Sequence, residues 1–368
     1  MRNDQTFYTD TSQNQLWQKM TDNLDKSPLL KLKSAAWICT IITVLFLPEI
    51  ALGQSSSVGT AGAQFLKINA GARAEAMKGA YVSVTNNADG VFWNPAGLAN
   101  IEGTSATFSN IDWWADVNVN QIGFATKIDG FGTLGLSVTG LEMPEQEITT
   151  VDEPDGTGRF YDANDLMIGV SFARYLIQDF SFGATAKYVH QRIWNETASA
   201  LAFDVGTQYH FGFYDLVLGM SARNFGPDMR YDGDDLRAIN ERDNQDYPSR
   251  RPREKLETLD FPLPLNFQVG ISGKPVNNKH LYWLLSTDII NPNDNAEQIS
   301  TGTELAFKTK VADLFVRGGY LFNNPEETWA AGAGTIIRLS QYHVRVDFSY
   351  TEHEYLNGIQ RFTFSLNF

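Results

Sequence analysis

The chain has 368 residues and a formal net charge of −14 at pH 7, with 43% hydrophobic and 12% aromatic residues. Its mean hydropathy of −0.26 excludes a bundle of transmembrane helices. The acidic balance argues against a nucleic-acid partner, whose phosphates it would repel. The single cysteine, Cys39, leaves no disulfide and no thiolate metal cage within the chain.

Residues 1–33 are polar and without period, and either Met1 or Met20 can serve as the start. Lys31 and Lys33 then precede an apolar run of about thirteen residues, 35–47, too short for a comfortable membrane helix. Pro48 ends the run, and Ala51-Leu52-Gly53 offers a small-x-small cleavage site before Gln54. Residues 1–53 therefore read as a secretory signal peptide behind an over-long N-terminus, with a membrane anchor as the alternative. Cys39 lies inside the apolar run with no lipobox around it.

Residues 54–103 have too little periodicity for a barrel wall and suit a plug or hatch. The spacing over 72–80 favours a short helix with Gly79 near its end. Asn94 is placed to cap a second short helix with Pro95 at its first position.

From Thr104 to Phe368 the chain alternates with period 2. Fourteen strands are expected, near 104–112, 117–128, 131–142, 163–176, 179–193, 199–211, 215–225, 262–274, 279–290, 299–308, 311–321, 328–339, 341–351 and 358–368. Each is about long enough to cross a bilayer at a tilt. Leu201, Phe203, Val205, Tyr209 and Phe211 share one face. So do Tyr342, Val344, Val346, Phe348 and Tyr350, and so do Leu263, Leu265, Phe267, Val269 and Ile271.

The final strand puts Phe362, Phe364, Leu366 and Phe368 on one side and Arg361, Thr363, Ser365 and Asn367 on the other. An apolar terminal strand is a liability in water but closes a cylinder in lipid. Phe364, Leu366 and the terminal Phe368 also resemble the signal read by the bacterial barrel-assembly machinery. Connections alternate in length. Turns at 129–130, 177–178, 212–214, 275–278, 309–310 and 340–341 are short, whereas 143–162, 194–198, 226–261, 291–298, 322–328 and 352–357 are longer. One parity throughout, with an even strand count, fits short periplasmic turns, longer outer loops and both termini in the periplasm. The expected fold is all-β, a transmembrane antiparallel barrel of about fourteen strands with a small N-terminal helical plug. It would stand in lipid of the cell outer membrane of a Gram-negative-type bacterium.

Three stretches of the plug, Phe65-Leu-Lys-Ile68, Gly71-Ala-Arg-Ala-Glu-Ala-Met-Lys-Gly-Ala80 and Trp93-Asn-Pro-Ala-Gly-Leu-Ala99, resemble the opening of the PorV/PorQ family, one of the FadL-like outer-membrane barrels. Asp155-Gly-Thr-Gly158, 180–188, 203–207 and Arg223-Asn-Phe-Gly226 continue the likeness in order. Arg73, Trp93, Asn94, Pro95 and Gly97 are its most specific part. Lys78 departs from the pattern, which more often has glycine there. The resemblance implies a non-enzymatic component of type IX protein secretion or cargo delivery to the cell surface. Secretion-system subunits and cargo C-terminal domains would then be its partners. The wider FadL-like group implies the alternative, a transporter of hydrophobic small molecules. The sequence does not separate these, nor the PorV branch from the PorQ branch, nor the oligomeric state.

Inward positions on the expected strands carry Lys187, Asp204, Arg223, Glu304, Arg317, Arg345 and Asp347. They fit a self-paired network that fills the lumen better than a lumen that guides a solute or peptide tail. Arg73 would bind a carboxylate ligand or pair with a wall acid. Trp93, Asn94 and Pro95 would gate the lumen or pack in its base. The loop at 226–261 begins acidic, with Asp228, Asp232, Asp234 and Asp235, and turns basic, with Arg250, Arg251, Arg253 and Lys255. Neither Asp232-Gly-Asp-Asp235 nor Asp152 with Asp155 has EF-hand spacing. No HExxH, Walker A, GxGxxG or GxSxG run occurs, so no catalytic residue, cofactor or metal is expected.

Overall fold

The structure, a computed structural model, describes residues 58–239 and 253–368. The expected signal peptide, Arg250 and Arg251 lie outside the described residues. Fourteen antiparallel strands make the wall: β1 Thr104–Asp112, β2 Asn118–Ile128, β3 Gly132–Glu147, β4 Phe160–Ile177, β5 Phe180–Ile193, β6 Glu196–His210, β7 Val217–Phe225, β8 Asn266–Asn277, β9 Leu281–Pro292, β10 Gln298–Lys308, β11 Ala312–Phe322, β12 Trp329–Leu339, β13 Tyr342–Thr351 and β14 Ile359–Asn367. Each pairs with its sequence neighbours, and β14 pairs with β1 from Ser105↔Asn367 to Asp112↔Gln360, so the sheet closes. The seam also needs Gly103. Its φ is +88°, and a Cβ there would stand 2.4 Å from the Phe368 carbonyl oxygen, while Thr104 and Phe368 exchange backbone hydrogen bonds of 2.6 and 2.9 Å.

The wall has two chemically distinct faces. Leu201 is 57% exposed and Phe362 is 55% exposed on the outside. The inward positions of β1 are Ser105, Thr107, Ser109 and, at its outer end, Ile111, all buried. A closed cylinder with an apolar exterior leaves few unpaired backbone groups for lipid to solvate. Among the described residues no helix is long and apolar enough to cross a membrane.

Several boundaries depart from the sequence expectation. Leu263 and Leu265 precede β8, and Leu263 is buried in the interior and does not face lipid. Pro262 and Pro264 lack the N–H groups a central strand must donate, so the ladder starts only at Asn266. The expected outer loops at 143–162 and 194–198 are partly strand. β3 and β4 pair as far as Glu147↔Phe160, and β5 turns into β6 through Trp194 and Asn195 alone. On the opposite rim, 211–216 is longer than the expected three-residue turn.

The segment before β1 runs down through the lumen. Near the outer mouth, Gly59 N–H donates to the Asp294 carbonyl at 3.2 Å and Gly62 N–H to the Pro262 carbonyl at 2.9 Å. Halfway lies α1, Ala72–Ala76, shorter than the expected 72–80 because Lys78 (φ +52°) and Gly79 (φ +79°) turn the chain left-handed. Lys78 thus holds a conformation that a glycine adopts more cheaply. α2, Gly90–Trp93, leads to a 3-10 turn over Pro95–Asn100 at the periplasmic base, where the Asn94 side chain accepts from Ala96 N–H.

Candidate functional site

The plug is fastened to one side of the wall by buried charge. Arg73 donates to both Glu304 oxygens, at 2.9 and 2.8 Å. Arg317 also donates to Glu304, at 2.5 Å, and to Asp347 at 2.9 Å; Arg345 donates to Asp347 at 2.6 Å. Tyr282 completes the shell with an O–H bond to Glu304 at 2.5 Å. Three guanidinium groups thus share two carboxylates away from water. That arrangement holds only while every member is present. One turn further along the plug, Lys78 bridges Glu75 (3.0 Å) and Glu327 (2.6 Å).

On the other side, Lys187 pairs with Asp204 at 2.6 Å and donates to Asn224 Oδ1 at 2.9 Å. Arg223 differs from these neighbours. Among the described residues it forms no ion pair. It donates to the Phe92 carbonyl at 3.0 Å and to Gln268 at 3.2 Å, and its Nε has no acceptor. Its guanidinium lies 5.1 Å from the Trp93 ring, which is held by an indole N–H bond of 2.8 Å to the Ala70 carbonyl.

The remaining motif residues are packing and capping positions at the base. The Asn94 amide donates to the carbonyls of Val82 (2.8 Å) and Thr207 (3.1 Å). Pro95 rests against Gly183, where a Cβ would stand 2.4 Å from the Pro95 carbonyl carbon. Gly97 tolerates no side chain, since a Cβ would meet Thr85 Oγ1 at 2.1 Å. Phe364 and Leu366 lie in the closing strand opposite Phe108 and Ala106, and Phe368 ends the seam.

Above the plug, toward the outer mouth, lies a cavity of about 920 Å³. Trp93, Gly79, Arg223 and Gln268 form its floor, and residues 59–69 cross above it. Leu141, Tyr231, Phe261, Pro264, Ile290 and Leu321 supply an apolar wall. At the rim, Arg230 donates to Asp260 at 2.6 and 2.9 Å and also pairs with Glu257. Those hydrogen bonds hold the Asp260 carboxyl below the usual carboxylate range.

Beside the cavity the wall ladder is broken. β6 pairs with β7 up to Phe203↔Phe225 and meets the outer loop again at Thr197↔Asp232. Residues 198–202 have no ladder partner on that side among the described residues. The break begins where Asn224 turns left-handed (φ +63°) and the register slips between Phe203 and Val205. Behind it the inward side chains are apolar: Ala198, Ala200, Ala202, Met229 and Leu263. Of these the sequence reading placed Ala202 inward, as observed, and Leu263 outward. The alanine run was a visible signal, since other strands carry polar residues at inward positions.

The two-faced closed wall and internal plug define the class: a β-barrel of the bacterial outer membrane. Solved structures share the fold. The toluene transporter TbuX of Ralstonia pickettii superposes with a TM-score of 0.51 at 12% identity, over 81% of this chain and 97% of that one. The toluene transporter TodX of P. putida gives 0.51 at 11%, over 81% and 96%. A TodX monoaromatic hydrocarbon channel mutant gives 0.53 at 12%, over 82% and 99%. No protein-family model and no curated protein matches the sequence. The fold expected from the FadL-like likeness is thus the fold observed, and the PorV/PorQ assignment rests on its motifs alone.

Proposed function

We propose that the protein is an outer-membrane channel that admits hydrophobic small molecules, captured in the outer cavity and released sideways through the wall beside β6. The observation that carries this reading is a chamber with one apolar wall near an unpaired, alanine-lined stretch of the barrel. A plugged lumen obstructs a straight path to the periplasm, whereas an apolar solute loses nothing by leaving into lipid. The toluene transporters that share the fold support the solute class, and Arg223 on the floor offers an unused donor to a polar end of the ligand.

The test is a reversible lock across the break. Thr197 and Asp232 are ladder partners at its outer end, within reach of a disulfide. In a Cys39→Ser background, Thr197→Cys with Asp232→Cys is expected to abolish uptake of N-phenylnaphthylamine, an apolar fluorescent probe, when oxidised. Reductant is expected to restore it. Full uptake by the oxidised variant would exclude the lateral route. The secretion role makes a different demand. It requires that secretion-system subunits or cargo C-terminal domains co-purify with the barrel, and that its deletion removes cargo from the cell surface.

A further inference from the structure

The periplasmic rim is electrically lopsided. From β8 to β13 its three turns and the strand ends beside them carry Lys274, Lys279, Lys308, Lys310 and Arg338, against Asp313 within the arc and Asp215 of the neighbouring turn, which lies 4.0 Å from Lys274. Asp313 is already paired with Arg338. Lys308 uses only neutral acceptors, Asn277 Oδ1 and the Asn278 carbonyl. Lys279 and Lys310 are exposed at the turn tips and form no ion pair among the described residues. The other half of the rim is balanced or acidic: it carries Lys127 and Arg174 with Asp129, Asp179 and Asp215. A basic arc of this kind is unexpected in a chain whose net charge is −14.

We propose that this arc is a docking surface for an acidic segment of a periplasmic protein. Three features select that partner. Lys308 and Arg338 occupy inward phases, whereas the lipid side at the same level carries Phe307, Leu314, Ile337 and Leu339. The cations therefore face the mouth and the periplasm, away from the headgroups. The arc spans six adjacent strands, or about 25 Å at the usual interstrand spacing, which exceeds a single small anion. An extended peptide of roughly eight residues covers that length at about 3.3 Å per residue. The surface lies at the opposite end of the barrel from the outer cavity, so it does not depend on what that cavity binds.

The experiment uses the purified barrel in detergent with fluorescent octaglutamate as the probe and octaglutamine as the neutral control. Octaglutamate is expected to bind at low salt, to weaken as salt screens the arc, and to bind about tenfold more weakly to the Lys279→Glu, Lys310→Glu double variant. The opposite-rim variant Lys127→Glu, Arg174→Glu is expected to leave binding unchanged. Heat-modifiable electrophoretic mobility verifies that both variants are folded. Absence of binding, or equal loss in the two variants, would overturn the proposal. Sedimentation with phosphatidylglycerol vesicles but no octaglutamate binding would assign the arc to lipid, and equal affinity for citrate would assign it to a small solute.

Discussion

Replacing Glu304 with alanine is expected to loosen the plug while the wall still closes. Glu304 accepts from both the plug, through Arg73, and the wall, through Arg317. Its removal strands buried guanidinium groups, and breaking a buried ion pair from one side costs about 3–5 kcal/mol. The strand ladders of β10 with β9 and β11 do not use the side chain, so the barrel is expected to retain its heat-modifiable mobility. The loss falls on the plug, and cells carrying the variant are expected to become sensitive to vancomycin, which an occluded lumen excludes. Glu304→Gln, which keeps one acceptor oxygen and loses the charge, is expected to fall between the variant and the parent. Unchanged vancomycin resistance in Glu304→Ala would show that the plug is held by packing alone.

The wall was legible in the sequence because lipid imposes a simple rule. Each outward position must be apolar, so Leu201, Phe203 and Val205 declare their phase without reference to any partner. Phe364 and Phe368 declare the closing strand in the same way. That rule ends at the membrane boundary. Beyond it β3 and β4 stand in water, nothing forces alternation, and their ladder continues through residues that read as loop. The rule also misplaced Leu263, whose apolar side chain serves the interior; only the flanking prolines signalled the difference.

The interior was legible by composition but not by pairing. The pattern placed Arg73, Glu304, Arg317, Arg345 and Asp347 inside, yet Arg73 and Glu304 are 231 positions apart in the chain. Nothing local states that they meet, whereas Arg223 is left without a carboxylate. Cavity residues such as Leu141, Ile290 and Leu321 sit near the outer ends of strands, where periodicity carries no information about which side chains converge. The left-handed Asn224 is a second local clue to the broken ladder, since asparagine tolerates that conformation better than most residues.

Two adjacent glycines on β11 give the sharpest test of how the plug is seated. A Cβ on Gly319 would lie 2.3 Å from the Met77 carbonyl carbon and 2.5 Å from the Lys78 nitrogen. Both are plug backbone atoms, and no rotamer change relieves the contact. On the next strand Gly302 faces the same turn, with a Cβ 2.8 Å from the Met77 carbonyl oxygen. Gly318 points the other way and would meet nothing within 4 Å. Gly319→Ala is therefore expected to cost about 1–3 kcal/mol or more, as overpacking against unyielding atoms does, and Gly319→Val more again. Gly318→Ala is expected to change stability by less than about 0.5 kcal/mol, the usual range for a surface position. Urea unfolding of the two alanine variants in the same lipid measures the difference directly. The same pair separates plug seating from strand propensity, because both substitutions place an identical methyl group on the same strand and only one of them meets Met77. Equal stability of the two variants would mean that the turn at Met77 and Lys78 does not press against the wall at Gly319.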